Sequence, residues 1–210
     1  MKITKFGHCC LLIEENGVRI LTDPGVYSTQ QTEVKNIDVV LITHEHQDHF
    51  HVDSLKILLQ NNPQAKVITN TAVGKLLDQE GIKYQILEDS QNTTEKEILI
   101  EGFGKDHAIV YKTVPAQNTG YFINNKFFYP GDSFFNPGKP VQILALPVAG
   151  PWMKISEAID YALNVKAQVT FPVHDGILKD TNLGSRMPSI VLEQNGLKFQ
   201  ILELNKEYNL

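Results

Sequence analysis

At 210 residues the chain fits one domain spanning residues 1–210, and a domain of that size buries roughly 70% of its unfolded surface, so its core need not rest on a metal. Nineteen Lys plus Arg against 24 Asp plus Glu give a net charge of −5, with Arg19 and Arg186 the only arginines, which excludes a phosphate-tracking basic face and argues against a nucleic-acid partner. No apolar run approaches the ~20 residues of a membrane span, and residues 1–5 run into a strand-like segment rather than a signal core, so no membrane association is expected and the expected location is cytoplasmic.

Residues 2–6, 11–14 and 18–22 are rich in apolar and β-branched side chains and read as strands, with Glu15-Asn16-Gly17 as a hairpin signal. The apolar run 38–43 is a buried strand that leads into a cluster of histidines. Helices are predicted over 52–60 and 71–79, with a strand over 66–70 between them and Asn61-Asn62-Pro63 as a stop signal. Strands follow at 84–87, 97–102, 108–114, 120–123, 126–129, 141–146, 168–173 and 198–204, with helices over 156–165 and 184–193. Several hairpins precede the helix-bearing segments in each half. That order fits an α+β, four-layer αβ/βα sandwich, two mixed sheets flanked by helices, better than a doubly wound parallel sheet.

Residues 44–51, His-Glu-His-Gln-Asp-His-Phe-His, hold four of the seven histidines in the chain. Imidazole nitrogens and a carboxylate oxygen are the ligands that Zn²⁺ prefers, and an extended chain of period two turns His44, His46 and Asp48 to one side. His49 falls out of the alternation and reaches a second ion if the chain begins to coil. His51 lies beyond the pattern, next to a helix cap at Asp53-Ser54, and reads as a surface or supporting residue. A dinuclear site needs further ligands at strand ends, and His107, Asp132 in Gly131-Asp132-Ser133, and His174 after residues 169–173 are placed to supply them. Cys9 and Cys10, neighbours that make a poor disulfide, need no function as small buried residues.

With these residues the chain resembles the metallo-β-lactamase superfamily, whose motifs match Asp23 in Leu21-Thr22-Asp23-Pro24-Gly25, His44-x-His46-x-Asp48-His49, His107, Asp132 and His174. The opening Phe6-Gly7-His8-Cys9-Cys10 and the closing Phe171-Pro172-Val173-His174-Asp175 look like the ascorbate-6-phosphate lactonase branch of compact metal-dependent hydrolases. The resemblance implies that His44, His46 and His107 hold one divalent ion, that Asp48, His49 and His174 hold the other, and that Asp132 bridges them. It implies Zn²⁺ first, with Mn²⁺ or Fe²⁺ as alternatives, and a bridging hydroxide as nucleophile, oriented by a hydrogen bond to Asp48. His8 stands near the metals in that branch, as a substrate or proton-transfer group or as a buried structural histidine. Asp23 either supports a ligand imidazole or opens an Asp-Pro-Gly turn, and Trp152 and Met153 either wall the pocket or pack the core.

Within the superfamily, the chain lacks the added domain of glyoxalase II and of the nucleases, and His46 stands where the oxygen reductases have glutamate. The expected activity is hydrolysis of a lactone, ester, amide or phosphodiester in a small molecule. The alternative is a metal-binding or ligand-sensing protein with the same site and little turnover. The apolar Ala108-Ile109-Val110 after His107, where many relatives have hydroxyl residues, and the absence of an arginine pair point to a substrate without phosphate. The sequence sets no oligomeric state.

Overall fold

The computed structural model describes residues 1–210. The first half is β1 (Lys2–Gly7), β2 (Cys10–Glu15), β3 (Val18–Thr22), β4 (Val39–Leu41), α1 (Val52–Asn61), β5 (Lys66–Thr69), α2 (Thr71–Gln79) and β6 (Gln85–Ile86). The second half is β7 (Asn92–Glu95), β8 (Ile98–Phe103), β9 (Gly120–Ile123), β10 (Phe127–Tyr129), β11 (Ile143–Pro147), α3 (Ile155–Val165), β12 (Val169–Val173), α4 (Asn182–Gln194) and β13 (Lys198–Phe199). A last strand, β14 (Glu207–Asn209), returns to pair with β1 at the edge of the first sheet.

Two seven-stranded mixed sheets result, ordered β14-β1-β2-β3-β4-β5-β6 and β13-β12-β11-β10-β9-β8-β7, the first made by the first half plus β14. Strand periodicity explains the layering. In β2, Leu11 and Ile13 face the other sheet, in a core shared with Tyr121, Phe127, Tyr129 and Phe171, whereas Cys10 and Leu12 face outward onto Leu55 and Leu58 of α1 and Val73 and Leu77 of α2. In the second sheet Phe122, Phe128, Leu144 and Leu146 face outward onto Ala158, Tyr161 and Ala162 of α3 and Leu192 of α4. Both faces of each sheet are thus buried, which is why these strands read as continuous apolar runs rather than alternating ones. The result is the expected α+β sandwich of two mixed sheets between helices. No helix is long and apolar enough to cross a membrane.

The helices form close to the expected bounds; α2 spans the expected residues, starting where the Asn70 side chain accepts from Val73 N. The predicted strand over residues 108–114 does not form. That segment is a loop in which Ile109, Val110, Tyr111 and Val114 are exposed, because the backbone pairs at its two ends, His107 N to Ala116 O and Ala108 N to Asp132 O, leave it no neighbouring strand. β7 and β14 were not expected; their residues are polar and half exposed, as edge strands tend to be.

Candidate metal centre

The candidate residues converge from seven chain segments. Parallel pairing of β3 with β4, and of β10, β11 and β12, directs several strand ends toward one rim. Asp23 follows β3, the cluster from His44 follows β4, Asp132 follows β10, Trp152 follows β11 and His174 follows β12. His8 occupies the tight turn between β1 and β2, and His107 follows β8. Ligand sites at the carboxyl ends of parallel strands are common in open α/β sheets. His8, Asp23 and His174 all hold left-handed backbone, with φ of 48°, 36° and 59°. Such strain costs on the order of 1–3 kcal/mol per residue and concentrates at functional sites.

Two sets of ligand atoms result. His44, His46, His107 and Asp132 form one; His8, Asp48, His49 and His174 form the other; within each set every ligand atom lies within 4.8 Å of the rest. Asp132 touches both sets: its Oδ2 is 3.2 Å from His107 Nε2 and 2.9 Å from His174 Nε2, and its Oδ1 is 3.2 Å from His49 Nε2. The expected extended run from His44 to Asp48 is absent. The chain turns, with His49 N and Phe50 N both donating to His46 O, and this swings Asp48 away from His44 and His46 toward His8, 3.1 Å, and His174, 3.5 Å. The turn fits only because Gly25 has no side chain: a Cβ there would lie 1.9 Å from the Asp48 carbonyl oxygen.

A chain of hydrogen bonds fixes which nitrogen of each ring faces inward. Thr43 Oγ1 donates its one proton to Asp23 Oδ2 at 2.7 Å, so it accepts from His44 Nδ1 at 3.0 Å. His49 Nδ1 donates to the same Asp23 oxygen at 2.7 Å, and His107 Nδ1 donates to Ala108 O at 2.5 Å. All three rings therefore turn Nε2 to the centre; burial lowers the pKa of His49, but Asp132 and Asp23 more than offset it, so that ring gives up an Nε2 proton when it binds a metal. Such outer hydrogen bonds are how proteins orient metal-binding imidazoles. Thr43 N and Tyr129 Oη also donate to Asp23, which has no exposed surface, so Asp23 supports imidazoles rather than merely opening a turn.

The donor set fits divalent cations. His49 Nε2, Asp132 Oδ1 and His174 Nε2 are buried and lack hydrogen-bond partners, although the carboxylate and imidazole atoms lie close together. Each belongs to a residue whose ligand atom lies within 4.8 Å of several others. Unpaired buried polar atoms cost about 1–3 kcal/mol each, and a bound ion removes that cost.

His8 is different. Its Nδ1 accepts from the backbone N–H of Gly176 at 3.1 Å, so the proton sits on Nε2, which donates to Asp48 Oδ2 at 3.1 Å. The ring is thus arranged as a donor, and burial lowers its pKa to about 4. Burial would likewise lower His174, but the Asp132 carboxylate more than offsets it and raises that ring to about 9. Burial opposes ionisation of Asp132 too, yet His49 and His174 hold its carboxyl well below the usual range.

Trp152 is buried and makes a polar contact with the site. Its indole Nε1 donates to Asp132 Oδ2 at 3.0 Å, and its ring lies edge-on to His107 and His174. Met153 is half buried and packs against the α3 layer. His51 stays outside both sets, its Nδ1 paired with Ser54 Oγ at 2.9 Å at the start of α1. Thr43, Tyr129 and Asn118, whose Oδ1 accepts from Asp132 N, were not singled out in the sequence; only the position of Thr43 directly before His44 hinted at a role. Cys9, expected to be inert, has its Sγ within 4.8 Å of ligand atoms of His49 and Asp132.

A family model described as a beta-lactamase superfamily domain matches residues 2–174, and the chain belongs to that superfamily. It is 34% identical over 184 residues to protein Rv0786c of Mycobacterium tuberculosis, covering 85% of each chain. It is 26% identical over 195 residues to a UPF0173 metal-dependent hydrolase of Anoxybacillus flavithermus, covering 83% of this chain and 85% of that one. Among solved structures it is similar to Igni18, a metallo hydrolase from Ignicoccus hospitalis, with a TM-score of 0.77 at 23% identity over 100% of this chain and 98% of that one. YhfI of Bacillus subtilis, a metallo-beta-lactamase fold protein, matches with a TM-score of 0.75 at 15% identity, covering 99% and 98%.

Proposed function

We propose that the protein is a dinuclear metal-dependent hydrolase of small-molecule lactones, esters, amides or phosphodiesters. The observation that supports this most is the position of Asp132, within 3.2 Å of nitrogens from both ligand sets and held by Trp152 and Asn118. His44, His46 and His107 would hold one ion, Asp48, His49 and His174 the other, with Asp132 between them. Two divalent ions there, Zn²⁺ first and Mn²⁺ or Fe²⁺ as alternatives, would supply a hydroxide nucleophile near neutral pH and polarise the bond under attack.

The remaining chemistry belongs to the chain itself. Asp48 accepts from His8 and so holds a carboxylate oxygen ready to orient the attacking group. His8, with its proton on Nε2 directed at Asp48, would give up that contact to donate to the substrate oxygen or the departing group. Asp23 holds Nδ1 of His49 and, through Thr43, Nδ1 of His44, so that both rings turn Nε2 toward the ions. His46 is the exposed ligand, which puts the mouth of the site on its side.

Substrate class is inferred from the loop that follows His107. Ile109, Val110, Tyr111 and Val114 are exposed on the loop that begins directly after His107, at 62%, 49%, 71% and 94%, which supports a substrate with an apolar portion rather than a phosphate. The lactone in the panel rests on the resemblance of residues 6–13 and 171–175 to the lactonase branch. The test is a screen of apolar-substituted lactones, esters, amides and phosphodiesters with metal restored. Turnover abolished by chelator and by His46→Ala supports the proposal. Tight binding of an unaltered ligand, with no turnover at full metal occupancy, would replace it with the ligand-sensing reading.

A further inference from the structure

We propose that Cys9 is an additional ligand of the metal centre, placing a sulfur donor on the ion held by His49 and Asp132. The turn between β1 and β2 delivers two side chains to the site from one direction. His8 goes to Asp48, and Cys9, the next residue, lies at the edge of the core between the sheets with Sγ within 4.8 Å of ligand atoms of His49 and Asp132. The backbone at Cys9 is fixed, because Thr22 Oγ1 donates to its carbonyl at 2.8 Å while accepting from Leu11 N at 3.1 Å.

A buried cysteine is ordinarily a small hydrophobe, and Cys9 has no exposed surface. What sets it apart is its company. His49 Nε2 and Asp132 Oδ1, both buried, have no hydrogen-bond partner, and each of these two residues offers a ligand atom within 4.8 Å of the Cys9 sulfur. Cys10 provides the internal contrast: strand alternation sends it to the opposite face of β2, among Phe6, Leu12 and Val40, away from every candidate ligand.

On loading, a metal–sulfur bond forms, the S–H bond breaks, and the proton leaves to solvent. A thiolate donor shifts the preference of an otherwise His and carboxylate site from Mn²⁺ toward the softer Zn²⁺. The assignment rests on the dinuclear reading above, and the test separates the two.

The full-length protein is stripped, reloaded with Zn²⁺, assayed for bound equivalents and examined by zinc-edge X-ray absorption. Zn–S lies at about 2.3 Å and Zn–N or Zn–O at about 2.0–2.2 Å, so the shells are distinguishable. The expected result is a sulfur shell in the wild type and in Cys10→Ser that disappears in both Cys9→Ser and Cys9→Ala. Two equivalents of zinc with no sulfur shell in the wild type would overturn the role of Cys9 and leave the dinuclear reading standing. A single equivalent with a sulfur shell would do the reverse, and a single equivalent without one would overturn both. The wild-type spectrum decides even if a Cys9 variant fails to fold, and a sulfur shell that survives Cys9→Ser also rejects the assignment.

Discussion

His49 donates its Nδ1 proton to Asp23 Oδ2 at 2.7 Å, and neither side chain has any exposed surface. That carboxylate also accepts from Thr43 and Tyr129, so one buried acid organises the inner wall of the site from outside the ligand set. Removing such a support loses about 10–100-fold in metal affinity or activity, so Asp23→Asn should weaken zinc binding by that factor in a competition titration. Asp132→Ala should do more, because it withdraws a group within reach of both ligand sets. Equal effects would contradict the bridging role.

A second prediction concerns the buried pair Lys5 and Asp175, directly after His174. Lys5 Nζ donates to Asp175 Oδ2 at 2.7 Å and to Pro172 O at 2.9 Å, with side chains 2% and 9% exposed. Removing one partner of a buried pair typically costs about 3–5 kcal/mol, because the other charge stays buried and uncompensated. Asp175→Ala should therefore lower the denaturation midpoint strongly, while Lys5→Met with Asp175→Leu should recover much of the loss. A double variant as unstable as the single one would show that the pair contributes more than charge compensation.

The metal-free protein should lose stability as pH rises above neutrality. His174 is raised from an ordinary 6.5 to about 9: burial pulls it down, and the Asp132 carboxylate more than offsets burial. The folded state binds this proton more tightly than the unfolded chain, so its contribution is full below pH 6.5 and disappears as pH rises through 9. His49 is raised in the same direction, burial being outweighed by Asp132 and Asp23. His8 runs the other way: burial lowers it to about 4, so its contribution exists above pH 6.5 and is lost as pH falls through 4. Melting of the metal-free chain should thus decline between pH 6.5 and 9, while the stabilisation added by Zn²⁺ grows over that interval as ligand protons become easier to displace. A metal-free melting profile that rises from 6.5 to 9 would contradict the pairing of His174 with Asp132.

Much of the site was legible in the sequence because its ligands are chemically rare and clustered. Four histidines in residues 44–51 have few explanations, and His107, Asp132 and His174 fall at segment ends, the last two after strands paired in parallel. What the sequence hid depends on partners distant in the chain. Tyr129 sits in an apolar run and looks like core; only the fold brings its hydroxyl to Asp23, 106 residues away. Trp152 reads as packing until its indole N–H meets Asp132. The loop after His107 was misread as a strand because apolar β-branched residues have the same composition whether they pair in a sheet or lie exposed in a loop. Strand alternation alone turned Asp48 toward His44 and His46, whereas the family resemblance grouped it with His49 and His174, where it lies, because the turn that redirects it depends on the close approach of Gly25.

The most direct test of a two-ion centre is the metal content of the full-length protein, stripped and reloaded with Zn²⁺, compared with that of His49→Ala and His174→Ala. Two equivalents per chain, falling toward one in each variant, is the predicted result. A ceiling of one equivalent that both substitutions leave unchanged would contradict it.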